Sequence, residues 1–525
     1  MATGSATWDA STDLNWTTVD DNWTPAQHPA DGDTATFDGT EAGALALPNA
    51  NLPTTGTIDM VFTAGYEDTD FPGGGALQDL MSGAAVGDVS VNHADASLYN
   101  TTLAGTITIV AGVVWQGEVG TNTASYVLNG AGAALIFDTD TQTLTGTITD
   151  GGAGGEVYVA SAVTVSSAIT TGTVNFNIDG GGTLVNSTVT VSNGGSIVAY
   201  ADNTDVRQIT GAVTVESGGT FDWSIDTQDF TVTSNFTRSA GGILVGNAGG
   251  ELILMGDANL SGAGGSFTNT YIRMKGTGSF ASFNLWTQGL IVDATSTTTA
   301  AVGTSFTTDL VVESGGVLNG GATAIVTARR PTANGVDIAG NCNCVIVIPF
   351  ISNLAMSGRL ATTEMLEIQG RNDTLTHSGV MDVADLVIRS QFNDNEYGRL
   401  DSTGASFTAG SVTLGVGDGT DRYGILDVSG VSGAVTIGDL VDAAGGSSAL
   451  ALGAKAITIS SGSTWDGTNI DSSGSGSVTG DATVTISNMD DPGATIDVLG
   501  GIIDGGGNDP NWIFPAGQMM MMGIG

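Results

Sequence analysis

Outside its carboxylates, this chain has few residues suited to acid–base or nucleophilic chemistry: 3 histidines and 2 cysteines stand against 54 Asp and Glu. His28 lies in Gln-His-Pro, His93 precedes Ala-Asp-Ala, and His377 precedes Ser-Gly. None belongs to a His-x-x-x-His metal pair or a Gly-x-Ser-x-Gly elbow, so each reads as a turn or surface residue. Cys342 and Cys344 stand in Asn-Cys-Asn-Cys, too few thiols for a disulfide framework and one pair short of a Cys-only zinc site. On a strand they would face the same way, as packed free thiols or a local pair.

Paired carboxylates carry more weight, because two of them about 5 to 10 Å apart can cleave a glycosidic bond as acid and base or nucleophile. Asp382, Asp401 and Asp427 close the related runs Gly379-Val-Met-Asp, Gly398-Arg-Leu-Asp and Gly424-Ile-Leu-Asp. Stacked about 4.8 Å apart, they would share a cation or raise one another's pKa; the plainer alternative is an Asp capping each turn. Asp418-Gly-Thr-Asp421 and Asp504-Gly-Gly-Gly-Asn508-Asp509 are further candidate places for a metal, but no tandem Gly-Gly-x-Gly-x-Asp array repeats. No cofactor is therefore expected, calcium being the one cation left open. Arg359, Arg389, Arg399 and Arg422 would stabilise an enolate if acidic glycan were cleaved, or else guard strand edges. Tyr397, Tyr423 and Trp465 would stack on sugar rings, or else form a packed ladder.

Acidic residues outnumber basic ones 54 to 12, giving a net charge of −42. Binding phosphate needs clustered cations, so duplex nucleic acid and anionic membranes are poor partners. No Lys or Arg precedes Arg207, and trypsin is expected to release a first fragment ending there. With 80 glycines but no triplet period the chain is not collagen, and with 41% hydrophobic and 13% charged residues it is not an acidic disordered tail. No window approaches a run of about 18 to 20 apolar residues, and residues 1–12 hold neither cation nor apolar stretch. Neither a membrane span nor a secretion signal is expected.

The elements that must position these residues are strands. Short alternating runs rich in Val, Ile and Thr end at Gly, Asn, Asp or Ser, and helical periodicity is nearly absent. Val-Thr-Val recurs at Val163, Val189 and Val213; related runs begin at Leu310, Val412, Val435, Ile457 and Val484. A second series passes through Gly358, Gly379, Gly398 and Gly424, with Tyr-Gly-x-Leu-Asp-x-x-Gly written out twice, from Tyr397 and from Tyr423. A period of about 24 residues suits a parallel β-helix, whereas propeller blades need about 40 to 50. Leu400 would then lie above Leu426, and Gly-Gly pairs would supply corners with positive φ. Residues 61–495 read as a single-stranded parallel β-helix of about 18 coils, an elongated shaft. Residues 1–60 read as a Trp-rich N-terminal cap or attachment segment, and 496–525 as a C-terminal cap with a Met-rich tail.

The N-terminus runs Thr7-Trp8-Asp9, Asn15-Trp16, Asp21-Asn22-Trp23-Thr24-Pro25 and Gly32-Asp33-Thr34-Ala35-Thr36-Phe37. Near the other end stands Asp504-Gly-Gly-Gly-Asn508-Asp-Pro-Asn511-Trp512-Ile-Phe514. Together these resemble the ends of β-helical surface proteins that carry autotransporter-associated strand repeats, and of similar proteins encoded by bacteriophages. The resemblance implies a virion structural protein without enzymatic activity: a spike, fibre or decoration subunit, homo-oligomeric and often trimeric, held by other virion proteins and adhering to host surface glycan. Two alternatives stay open, a tailspike-type polysaccharide depolymerase and a surface-layer protein or adhesin of the bacterial cell surface.

Overall fold

The computed structural model describes residues 106–515 apart from short stretches such as 117–123, 200–206, 281–288 and 416–421. It also describes strands Ser5–Trp8, Trp23–Thr24, Thr34–Phe37, Ile58–Phe62 and Val86–Leu98. Every regular element among the described residues is a strand, and they wind into a parallel β-solenoid of about 15 turns. The expected 18 coils came from dividing residues 61–495 by one period. Part of that stretch lies outside the described residues, and the coils are uneven: Tyr271 sits beside Gly289, whereas Phe407 sits beside Val435.

The chain divides into two compact units, Met1–Thr270 and Tyr271–Gly525. In the first, the strands before Gln142 pair one after another in a single sheet, and from Gln142 onward each coil places strands on three faces. Val174–Ile178, Thr183–Val185 and Val189–Val191 are followed one rung on by Ser196–Ala199, Arg207–Ile209 and Val213–Val215. Alternation decides what is buried: in Val189-Thr190-Val191 the valines point inward and the threonine outward. Val157, Phe176, Ile197, Phe221 and Leu244 form one inward column in register, all essentially buried. Phe221 meets Phe230 at 4.9 Å and Phe236 at 5.6 Å edge to face, so the three faces join at the axis. Each such side chain contributes about 1.5–3 kcal/mol by leaving water.

The corner glycines behave as expected. Gly194, Gly218 and Gly241, the first of each Gly-Gly pair, have φ of 85°, 75° and 82°. They also stack: the Gly194 amide donates to the Gly218 carbonyl at 3.2 Å, and that of Gly218 to Gly241 at 3.0 Å. Val189 lies beside Val213, but Val163 does not continue that column; it lies on another face between Gln142 and Leu184, and Ile169 takes the rung before Val189. Strand alternation is common to all three faces, so a repeated tripeptide does not say which face it occupies.

Two arginines of this unit point inward. Arg207 and Arg238 are each 1% exposed, with Arg207 Nε donating to the Ile178 carbonyl at 3.0 Å and Arg238 Nε to that of Gly242 at 2.9 Å. The tryptic fragment ending at Arg207 is thus a product of the unfolded chain, not of the native one.

At the start of the first unit, Ser5–Trp8 pairs antiparallel with Trp23–Thr24, Trp8 opposite Trp23, and parallel with Thr34–Phe37. The rest of residues 1–57 lies outside the described residues.

In the second unit, strands on separate sheets continue to Ile338, and from Asn341 to Gly453 long strands alternate with shorter ones. Leu360–Gly370, Met381–Ser390, Phe407–Leu414 and Val435–Asp442 form one ladder; Asp373–His377, Tyr397–Ser402, Tyr423–Asp427 and Ser448–Gly453 form the other. Leu375, Leu400, Leu426 and Leu450 stack in register and are fully buried, as the duplicated octet requires. Ladder pairing continues through Ile503–Gly506 and Trp512–Ile513, while Met519–Met522 lies outside the described residues.

Candidate surface site in the second unit

Strand Tyr397–Ser402 alternates strictly: Gly398, Leu400 and Ser402 are buried, and Tyr397, Arg399 and Asp401 are half-exposed. The next rung repeats this with Tyr423, Ile425 and Asp427 facing out. The register is direct, Tyr397 beside Tyr423 and Asp401 beside Asp427, so two carboxylates and two phenols stand about 4.8 Å apart on adjacent coils.

Between the carboxylates lies Arg399. Its Nε donates to Asp401 at 2.5 Å and its Nη2 to Asp427 at 3.2 Å. The guanidinium is held above its ordinary pKa first by the hydrogen bond to Asp401, with burial opposing and the charges of Asp401 and Asp427 adding. The pair is therefore an ion-pair network whose cation offsets the repulsion of the stacked acids. Asp427 also accepts from the Ser429 amide at 2.9 Å, which is the turn cap anticipated for it.

Asp382 is not part of this column. It pairs with Ala361 and Thr408 on the other ladder and accepts from Arg359 Nη2 at 3.1 Å. Leu360 and Met381 belong together, as do Leu400 and Leu426, so the four Gly-x-x-Asp-like runs split between two faces. The expected three-carboxylate ladder is thus a pair. Arg389 is tied to Glu367, while Arg422 stands at the entry to strand Tyr423–Asp427. Asp418 and Asp421 lie outside the described residues. Among the described residues no cluster of three or more His, Cys, Asp or Glu is placed to hold a metal ion.

Two other candidates turn inward. Trp465 is fully buried and its indole donates to the Gly438 carbonyl at 2.7 Å, so it is a core anchor and not a sugar platform. His377, read as a surface or turn residue, is fully buried beside Met356 and Ser402, with Nε2 at 2.8 Å from the Gly358 carbonyl. Its parity with Leu375 was the available signal. His28 is outside the described residues, and His93 lies in strand Val86–Leu98.

Burial, opposed by the bond to Gly358, pulls the His377 pKa below its ordinary 6.5. The unfolded chain then takes the proton first, so this residue's contribution to stability is full above pH 6.5 and is lost as pH falls toward the folded value. In urea titrations wild type is expected to lose up to about 1.4 kcal/mol per pH unit relative to His377→Leu across that window. Parallel curves would remove the claim.

The segment Asp504–Trp512 closes on itself through side chains. Asn508 Nδ2 donates to Asp504 Oδ1 at 2.9 Å and to the Ile486 carbonyl at 3.0 Å, and its Oδ1 accepts from the Met489 amide. Trp512 is buried and its indole donates to the Asp490 carbonyl at 3.0 Å. The motif residues Asp504, Asn508 and Trp512 thus fasten the coil to which they belong, and the Asp504–Asn508 contact is an amide–carboxylate bond.

A shallow depression bounded by Leu452, Lys455, Ile457, Val478 and Ile496 encloses no room even for a water-sized molecule, far from the roughly 300–1,000 Å3 of ordinary small-molecule sites. No described helix is long and apolar enough to cross a membrane. No family model, curated protein or solved structure matches this chain.

Proposed function

We propose that this chain is a non-enzymatic structural protein of a virus particle, an elongated spike, fibre or decoration subunit that adheres to host surface glycan. The observation that supports it is the parallel β-solenoid itself, a fold compatible with fibre and tailspike proteins. The outward pair Tyr397 and Tyr423, edged by the Arg399–Asp401–Asp427 network, suits a sugar chain: phenol faces for the rings, charged groups for the hydroxyls. On this reading the subunit self-associates, by the resemblance as a trimer, and is held by other virion proteins. Particles purified from a producing culture on a density gradient are expected to carry the chain. Its recovery instead in envelopes of uninfected bacteria would replace this reading with that of a surface-layer protein or adhesin.

One observation favours a second reading, the depolymerase. Asp401 and Asp427 face outward on adjacent rungs, and the strand spacing of about 4.8 Å falls just short of the roughly 5–5.5 Å of a retaining glycosidase pair. Against it, both are engaged by Arg399, whereas glycoside cleavage needs one carboxyl that delivers a proton. Host capsule incubated with the protein is expected to show no new reducing ends; their appearance, and loss in Asp401→Asn, would establish the enzyme.

A further inference from the structure

Strand Asn341–Pro349 carries Cys342 and Cys344 on its inward side, 3% and 0% exposed, with their sulfurs 3.2 Å apart and no disulfide between them. They are the only 2 cysteines of the chain. Both neighbouring strands are irregular at this rung. On one side, strand Val317–Ala328 shifts register on either side of Gly321, which lies beside Cys344. On the other, the ladder to Leu360–Gly370 runs from Ile346 onward, and the carbonyls of Cys344 and Cys342 instead accept from Thr362 Oγ1 at 2.8 Å and Thr363 Oγ1 at 3.2 Å. The Cys-Asn-Cys segment is therefore held on that side by two side-chain hydroxyls, not by a backbone ladder.

This matters for what the thiols can do. Residues i and i+2 of a regular strand are about 6.6–6.8 Å apart, at the upper end of the roughly 4.4–6.8 Å that a disulfide spans between Cα atoms. A small contraction of the segment suffices, and the irregular neighbours allow it. The sulfurs are already in contact and hydrogen-bonded to each other. That bond holds the Cys342 thiol below its ordinary pKa, against burial, while the same bond and burial push Cys344 far up. Cys342 is thus the better nucleophile and Cys344 its protonated neighbour.

We propose that Cys342 and Cys344 are an oxidation site, which peroxide closes to an intrastrand disulfide. The Cys342 sulfur attacks one peroxide oxygen and the O–O bond breaks, giving a sulfenic acid and one water. The Cys344 sulfur then displaces the hydroxyl, the S–S bond forms, and a second water leaves. Two thiols lose two electrons and two protons, and hydrogen peroxide is reduced to two waters. Burial selects the oxidant, since hydrogen peroxide is small enough to enter on a local opening where a bulky disulfide is not. Because the resolving sulfur is already in contact, oxidation stops at the disulfide instead of running on to sulfinic acid in the core. The closed loop is too short to remove much entropy from the unfolded chain, so the effect is local protection with little change in global stability.

The test uses the full folded chain. It is treated with excess hydrogen peroxide, quenched with catalase, denatured without reductant, alkylated and mapped by mass spectrometry. The peptide bearing both cysteines is expected to lose two hydrogens and to take no alkyl group, with both thiols returning after dithiothreitol. In Cys344→Ser the resolving sulfur is gone, and Cys342 is expected to gain oxygen or to cross-link between chains. Wild-type protein that keeps both alkylatable thiols, or whose peptide gains oxygen, would overturn the proposal without reference to the variant.

Discussion

Gly424→Val is expected to destabilise the second unit by about 3 kcal/mol or more in urea unfolding, whereas Ile425→Thr on the same strand changes it by less than about 0.5. Gly424 is the buried second residue of the duplicated Tyr-Gly-x-Leu-Asp motif. A Cβ there would lie 2.2 Å from the Ile388 carbonyl oxygen, 2.8 Å from the Gly415 nitrogen and 2.9 Å from the Leu414 Cα. All three are backbone atoms of neighbouring strands, so no flexible side chain can swing aside; relief requires parting the ladders that hold them. Gly398, its counterpart one coil earlier, faces the Arg389 carbonyl at 2.1 Å in the same way. The repeated glycine thus marks a close passage of chain against chain beneath the tyrosines. A Gly424→Val midpoint equal to that of wild type would show that this backbone yields easily.

Arg238→Ala is the second large effect, about 3 kcal/mol, with Arg238→Met costing about half as much. The side chain is 1% exposed, and burial lowers its pKa to about 10, so it is still a cation at neutral pH inside the core. Alanine removes both the packed stem and the donor to the Gly242 carbonyl, leaving a cavity and an acceptor without its bond. Methionine keeps most of the packed stem and loses the guanidinium with its charge and its hydrogen bonds. Equal losses for the two variants would mean that the hydrogen bond, not the packing, carries the residue; a harmless alanine would contradict both.

Where the sequence repeats a long and distinctive string, its structure was readable. The octets from Tyr397 and Tyr423 align residue for residue, and with them Leu400 over Leu426 and Asp401 over Asp427. Short strings failed. Val163 and Val189 carry the same Val-Thr-Val yet lie on different faces, and Asp382 was drawn into a column to which it does not belong. A coil with two or three alternating faces generates such strings on each of them, and only register distinguishes them. The inward arginines were also missed, although Arg238 has the parity of Phe236 in Phe236-Thr-Arg238 and so falls on the buried side. The Arg399 bridge likewise had a signal in Arg399-Leu-Asp401, two residues that alternation places on one outward row.

The unevenness of the coils has a practical consequence. The neighbours Tyr271 and Gly289, and Phe407 and Val435, are separated by very different lengths of chain, yet each pair keeps its parallel alignment. The longer coil has both longer strands and longer connections, and closing a longer connection costs only about 0.6 kcal/mol per doubling of its length. Foreign peptides grafted into such connections should therefore be tolerated, and the solenoid offers itself as a display scaffold whose insertion points are its own most variable bends.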